Sequence, residues 1–105
     1  MTAEPAAAET VWVEDALPAG ASAFANDDAW NWVTSGPAPY SGSSSHQSNV
    51  GTWLHQHFFV GASAKLAVSP GERLFTYVYI DPANMPSEVM LQRSSDEEGW
   101  NHRAY

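Results

Sequence analysis

Cysteine is absent from the 105 residues, which removes disulfides, thiolate nucleophiles and Cys-type zinc sites together. Bases are scarce: four Lys and Arg against twelve Asp and Glu give a formal charge of −8. A surface of that sign repels phosphate backbones and anionic headgroups within a Debye length of about 8 Å. Neither nucleic acid nor a membrane surface is therefore an expected partner. No apolar run approaches the roughly 18 residues of a membrane span, and the N-terminus lacks the basic-then-apolar layout of a signal peptide. No stretch sustains the spacing of an amphipathic helix. The Gly-x-Ser-x-Gly elbow is also missing, so the run Ser41-Gly42-Ser43-Ser44-Ser45-His46 reads as a loop and not as a nucleophile's turn. Paired carboxylates for glycoside hydrolysis need a deep cleft, which so short a chain rarely builds. No enzyme is expected.

What the chain does contain is aromatic. Five Trp, four Tyr and four Phe are a heavy load for a core this small, and some of those rings are expected outside it. Apolar residues are 44% and charged residues 15%, a globular composition with a neutral-polar surface. Residues 1–10, rich in Ala and Glu and interrupted by Pro5, read as a disordered leader, and residues 11–105 as one module.

Apolar residues alternate in short stretches between Pro, Gly, Ser and Asn clusters, which predicts an all-β chain. The expected strands are Thr10 to Val13, Trp30 to Thr34, Thr52 to Val60, Ala64 to Val68, Arg73 to Ile80, Glu88 to Arg93 and Gly99 to Tyr105. Turn residues separate them at Leu17-Pro18-Ala19-Gly20, Ser35 to Pro39, Ser69 to Glu72 and Asp81 to Pro86, where Asp81 is expected to cap its turn. Strands at such spacing suggest an antiparallel β-sandwich or a barrel. Both faces of Arg73 to Ile80 are apolar enough for a central strand covered twice. Glu88 to Arg93 and Gly99 to Tyr105 flank the polar loop Ser94 to Glu98 and read as a hairpin.

Several segments carry a family resemblance: Val11-Trp12-Val13-Glu14-Asp15-Ala16-Leu17-Pro18-Ala19-Gly20, Trp30-Asn31-Trp32-Val33, Ser45-His46-Gln47-Ser48, His55-Gln56-His57-Phe58-Phe59, Asp81 to Gln92, and Trp100-Asn101-His102-Arg103-Ala104-Tyr105. They resemble a bacterial jelly-roll, galactose-binding-like β-sandwich module, an appendage of large secreted or surface proteins that often lies beside YD-type repeats. The resemblance implies an extracellular or cell-surface location and covers nearly everything from Val11 onward. Family members continue through further strands, so the chain is expected to be the N-terminal part of the module, with a sandwich incomplete at its C-terminal side. Arg93 and Asp96-Glu97-Glu98 depart from the Trp, Asn and Gly that the family favours in that hairpin.

Three groups of residues are candidates for chemistry. Trp30, Trp32, Trp53, His55, His57, Tyr79 and Trp100 are candidate ligand contacts, because an exposed ring beside polar side chains can stack on the C–H face of a sugar and hydrogen-bond its rim. The same rings serve a sandwich core equally well. On a strand His55 and His57 project to one face, as a transition-metal site needs, with His46 or His102 as third ligand. The pattern is similar to that of the cupin barrel, but no Glu follows within reach, the next acid being Glu72. Packing among aromatics is the competing role for both His. Glu14, Asp15, Asp27 and Asp28 are hard oxygen donors, and since jelly-roll modules commonly hold a structural calcium near an N-terminal loop, Asp15 or Asp28 is the candidate ligand. A solvated acidic loop is the competing role.

The function expected first is a non-catalytic carbohydrate-binding or adhesion module whose partner is a glycan or surface polymer, with no cofactor beyond calcium. The alternative is a structural or assembly module whose open C-terminal β-edge pairs with a second copy, as a homo-oligomer, or with a complementing segment. A small metal-dependent cupin-like protein is third.

Overall fold

The computed structural model describes residues 9–95 and 99–105. Apart from Glu9 and Thr10, the leader expected over 1–10 lies outside these residues, as do Asp96, Glu97 and Glu98 of the hairpin loop. The described chain is all-β: every regular element is a short strand in an antiparallel pair, and no helix occurs among the described residues. Consistently, no helix is long and apolar enough to cross a membrane. The chain divides into two compact units, the first ending at Ala67 and the second running Val68–Tyr105.

The first unit holds two strand pairs. Strand β1 (Ser22–Phe24) pairs with β4 (Phe58–Val60), placing Phe24 opposite Phe58; their rings stack at 5.4 Å. Strand β2 (Asn31–Val33) pairs with β3 (Ser45–Gln47), placing Trp32 opposite His46. Cross-strand aromatic pairs of this kind are the stabilising unit of a small sheet. Strands β2 and β4 fall inside the segments expected from alternation. Strands β1 and β3 do not, because Ser-Ala-Phe and Ser-His-Gln carry neither β-branched residues nor a readable alternation.

Thr10 to Val13 and Ala64 to Val68 are not strands. Trp12 instead lays its ring on Phe59 of β4 at 5.1 Å and donates its indole N–H to the Ala64 carbonyl at 3.2 Å. An indole that finds both an aromatic neighbour and an acceptor has no need of a ladder. Leu17 to Gly20 is a turn as expected: the Ala21 N–H reaches the Pro18 carbonyl, and the Ser63 N–H closes on the Ala19 carbonyl at 2.8 Å.

In the second unit β5 (Leu91–Ser95) and β6 (Gly99–Ala104) form the expected hairpin. Leu91 faces Ala104, Gln92 faces Arg103, and Arg93 faces His102, with an irregularity between Arg93 and Ser95. Two turns precede it. Ser69 and Glu72 close on each other through Glu72 N–H to Ser69 O and Ser69 N–H to the Glu72 carboxylate. Asp81 accepts from Asn84 N–H through its carbonyl and from Ala83 N–H through its carboxylate, the capping role expected of it.

Arg73 to Ile80 corrects the expectation of a central strand, since no ladder partner joins it among the described residues. Phe75 and Tyr77 still meet edge to face at 5.7 Å, as residues two apart on one side of an extended backbone do. Alternation specifies which side chains share a face; a ladder also needs a second backbone edge, and the described residues supply none. No described residue of either unit is buried as a whole, and Phe75, Tyr77, Val78 and Tyr79 are each more than half exposed. The sandwich core expected from the aromatic load is therefore not closed among the described residues.

Gly20 has a positive φ of 82°, and a Cβ there would run into the Ser63 hydroxyl; Gly36, at φ 74°, has nothing within 4 Å of its added Cβ. Both positions strain an L-residue by roughly 1 kcal/mol, but only Gly20 adds a clash. Gly20→Ala should therefore lower the urea midpoint clearly more than Gly36→Ala. Equal midpoints for the two variants would show that the Gly20 turn does not hold residues 61–63 in place.

Candidate functional site

The first unit gathers its polar and aromatic residues around one carboxylate. Asp28 precedes β2, and its side chain has no exposure to solvent. Its Oδ1 accepts the N–H of Ala29 at 2.8 Å and of Asn49 at 2.7 Å. Its Oδ2 accepts from His55 Nδ1 at 3.1 Å and lies 3.5 Å from His57 Nε2. Burial alone would raise the carboxyl's pKa, but the N–H groups of Asn49 and Ala29, with His55 and Ser48, outweigh it and hold the group at about 2.

His55 is constrained at both nitrogens. Nδ1 meets the Asp28 carboxylate and Nε2 meets the Gly51 carbonyl at 3.0 Å. Both partners can only accept, so both nitrogens donate and the ring is an imidazolium. The Gly51 carbonyl first and then Asp28 raise its pKa above the usual histidine value. Trp53 covers this ring at 5.3 Å.

His57 connects Asp28 to the aromatic cluster. Its side chain is 10% exposed, and its Nδ1 lies 2.7 Å from His46 Nδ1. One proton lies between those two nitrogens, since two facing N–H groups could not approach so closely. Trp30 stacks on His57 at 4.7 Å and meets His46 at a tilt of 37° and 4.3 Å. Its indole N–H is satisfied by the Phe24 carbonyl at 2.9 Å. Trp32 lies over Trp30 at 6.0 Å and meets His46 edge-on at 5.4 Å, and the residue as a whole is 38% exposed. Partial desolvation among these rings, followed by the charge of His57, lowers the pKa of His46 to about 4. His46 is thus neutral near neutral pH and keeps part of its surface in water.

Of the expected contacts, Trp30, Trp32 and His57 meet directly, while Trp53 and His55 join them through Asp28. Tyr79 and Trp100 are exposed on the second unit. Composition and spacing do not place His46 among the sugar contacts, and nothing in them marks Asp28 as the residue that gathers this set. A single Asp in Asn26-Asp27-Asp28 has no periodicity to mark it. His55 and His57 do share a side, as the spacing predicts, but both face the Asp28 carboxylate.

Among the described residues no group of three or more His, Asp or Glu could hold a metal ion. The Asp15 carboxylate accepts the N–H groups of Ser43 and Ser44 at 2.6 and 3.0 Å, which lower its pKa, and Ser44 also donates its hydroxyl to the Asp15 carbonyl. Asp15 and Asp28 thus both anchor backbone amides.

The two histidine shifts set the pH dependence of stability. His55, raised above 6.5, contributes fully below 6.5 and loses that contribution as pH rises through its folded value. His46, lowered from 6.5 to about 4, contributes above 6.5 and loses that contribution as pH falls towards 4. The thermal midpoint should therefore peak near the ordinary histidine pKa. His55→Gln should flatten the alkaline limb and His46→Gln the acid limb. Circular-dichroism melts from about pH 4 to about pH 9 that give a flat profile for the wild type would refute both assignments.

Known proteins add nothing to this geometry: no family model matches the chain, and no curated protein or solved structure matches it.

Proposed function

We propose that the chain is a non-catalytic carbohydrate-binding module, an adhesive appendage of a larger extracellular protein built on an antiparallel β-sandwich, and that its ligand face is the shelf of Trp30, Trp32 and His46. The observation that carries this reading is the exposed Trp32 ring, held over Trp30 and beside a neutral His46. A flat apolar ring suits the C–H face of a sugar, and an uncharged imidazole at its edge can hydrogen-bond a hydroxyl. The shelf is preorganised, because His57 and Asp28 fix it from behind, so little rotamer entropy is lost on binding. The jelly-roll resemblance supports the extracellular setting.

Tryptophan fluorescence titrated with a panel of neutral oligosaccharides tests the reading. Trp32→Ala should weaken the tightest member by about tenfold, roughly 1.4 kcal/mol, with the far-ultraviolet spectrum unchanged. Affinity that survives Trp32→Ala but falls in Trp100→Ala would move the ligand face elsewhere.

A second reading, assembly with another copy, is favoured by one observation: Phe75, Val78 and Tyr79 are each more than half exposed on a segment that no described strand joins. An exposed apolar segment of this kind is a template for β-augmentation. Tyr79 is 65% exposed, so Tyr79→Lys should cost the monomer little while shifting a self-associating chain towards monomer in analytical ultracentrifugation. Identical sedimentation of both forms as monomers would exclude this reading.

A further inference from the structure

Behind the shelf, the packing of three side chains fixes the place of one proton. Asp28 has no exposure to solvent, and its negative charge is already met by the His55 imidazolium. His57 has only 10% of its side chain exposed, and its Nε2 is buried without a hydrogen-bond partner, 3.5 Å from Asp28 Oδ2. A second cation buried beside the same carboxylate would stand uncompensated, so His57 carries a single ring proton. A lone pair at Nε2 would face the lone pairs of the carboxylate where water is excluded, whereas an N–H is attracted by them. The proton of His57 therefore sits on Nε2, and its Nδ1 is an acceptor.

The consequence passes to His46. Its Nδ1 lies 2.7 Å from His57 Nδ1, and because the His57 nitrogen is an acceptor, the proton between them belongs to His46. A neutral imidazole with its N–H at Nδ1 has a lone pair at Nε2. That nitrogen lies on the side of the ring away from His57, on an exposed residue, and no described residue bonds to it. Trp30 and Trp32 meet the same ring at 4.3 and 5.4 Å, so the lone pair borders the stacking surface.

We propose that Asp28 and His57 fix His46 in the Nδ1–H tautomer, and that His46 Nε2 is the acceptor that selects saccharides with a free hydroxyl beside the C–H face stacked on Trp32. His46 determines the specificity, and Asp28 and His57 are positioning residues that act through it. The tautomer rests on these three side chains; the saccharide rests on the carbohydrate reading above. Carboxylates, sulfates and O-methylated sugars offer only acceptors at that place and set lone pair against lone pair. The net charge of −8 repels the anions among them as well.

Nitrogen-15 NMR of the histidine side chains reads the tautomer directly in the 105-residue chain. In the wild type His46 should show a protonated Nδ1 and a bare Nε2, and His57 the reverse. Asp28→Asn should invert both. Its carbonyl oxygen has to keep the N–H groups of Ala29 and Asn49, which turns the amide nitrogen towards His55 and His57 and offers each ring a donor in place of an acceptor. His57 then carries its proton on Nδ1 and His46 on Nε2, with the far-ultraviolet spectrum preserved. The wild-type spectrum decides the tautomer whether or not that variant folds. Binding is followed at the Trp32 resonances with a galactose oligomer and its O-methylated counterpart, which keeps ring faces and acceptors but has no hydroxyl to donate. The wild type should bind the methylated oligomer about tenfold more weakly. Asp28→Asn should close most of that gap, whereas a steric effect of the methyl groups would persist in it.

A wild-type His46 with its proton on Nε2, or a folded Asp28→Asn that leaves the proton of His46 on Nδ1, would overturn the proposal. Equal affinity of the wild type for the two oligomers, or a gap unchanged in folded Asp28→Asn, would overturn the selectivity. Trp32 resonances that neither oligomer moves would overturn the saccharide part, and the nitrogen spectrum, which needs no ligand, separates that failure from failure of the tautomer.

Discussion

The buried carboxylate of Asp28 is the interaction on which the first unit depends. A charge removed from water is tolerable only when its lone pairs are satisfied, and here the donors come from Ala29, Asn49 and His55, with Ser48 assisting. These residues lie before β2, after β3 and ahead of β4, so satisfying one anion ties three segments together. His57 then takes its place against the same oxygen, which in turn sets His46 and the two tryptophans. The aromatic shelf is thus built outward from a polar centre.

Polar anchoring of this kind recurs because apolar burial is thin. Strands β1 to β4 have three residues each, and no described residue is buried as a whole. Hydrophobic stabilisation scales with the area removed from water, so side chains that reach backbone groups carry much of the organisation. Asp15 holds Ser43 and Ser44, Trp12 holds Ala64, Trp30 holds Phe24, and Asn31 holds the Gln47 carbonyl at 2.9 Å. Each bond fixes a loop that the short ladders alone would leave loose.

The same economy shapes the charge distribution. In the first unit Asp15 and Asp28 spend their charge on backbone amides and histidine, and in the second Glu72 and Asp81 spend theirs on turns.

All-β character, the turns at Leu17 to Gly20, Ser69 to Glu72 and Asp81 to Pro86, and the β5–β6 hairpin were legible in the sequence, because Pro, Gly and Asp act within a few residues and alternation acts within one strand. The side shared by His55 and His57 was legible for the same reason. Strands β1 and β3, the lack of a described strand beside Arg73 to Ile80, and the gathering of His46, His55 and His57 with Asp28 were not. Those depend on which backbone edges and side chains meet across tens of residues, such as Asp28 with His55 or Trp12 with Ala64. Local composition and periodicity record which residues can pair; long-range satisfaction of donors and acceptors decides which ones do.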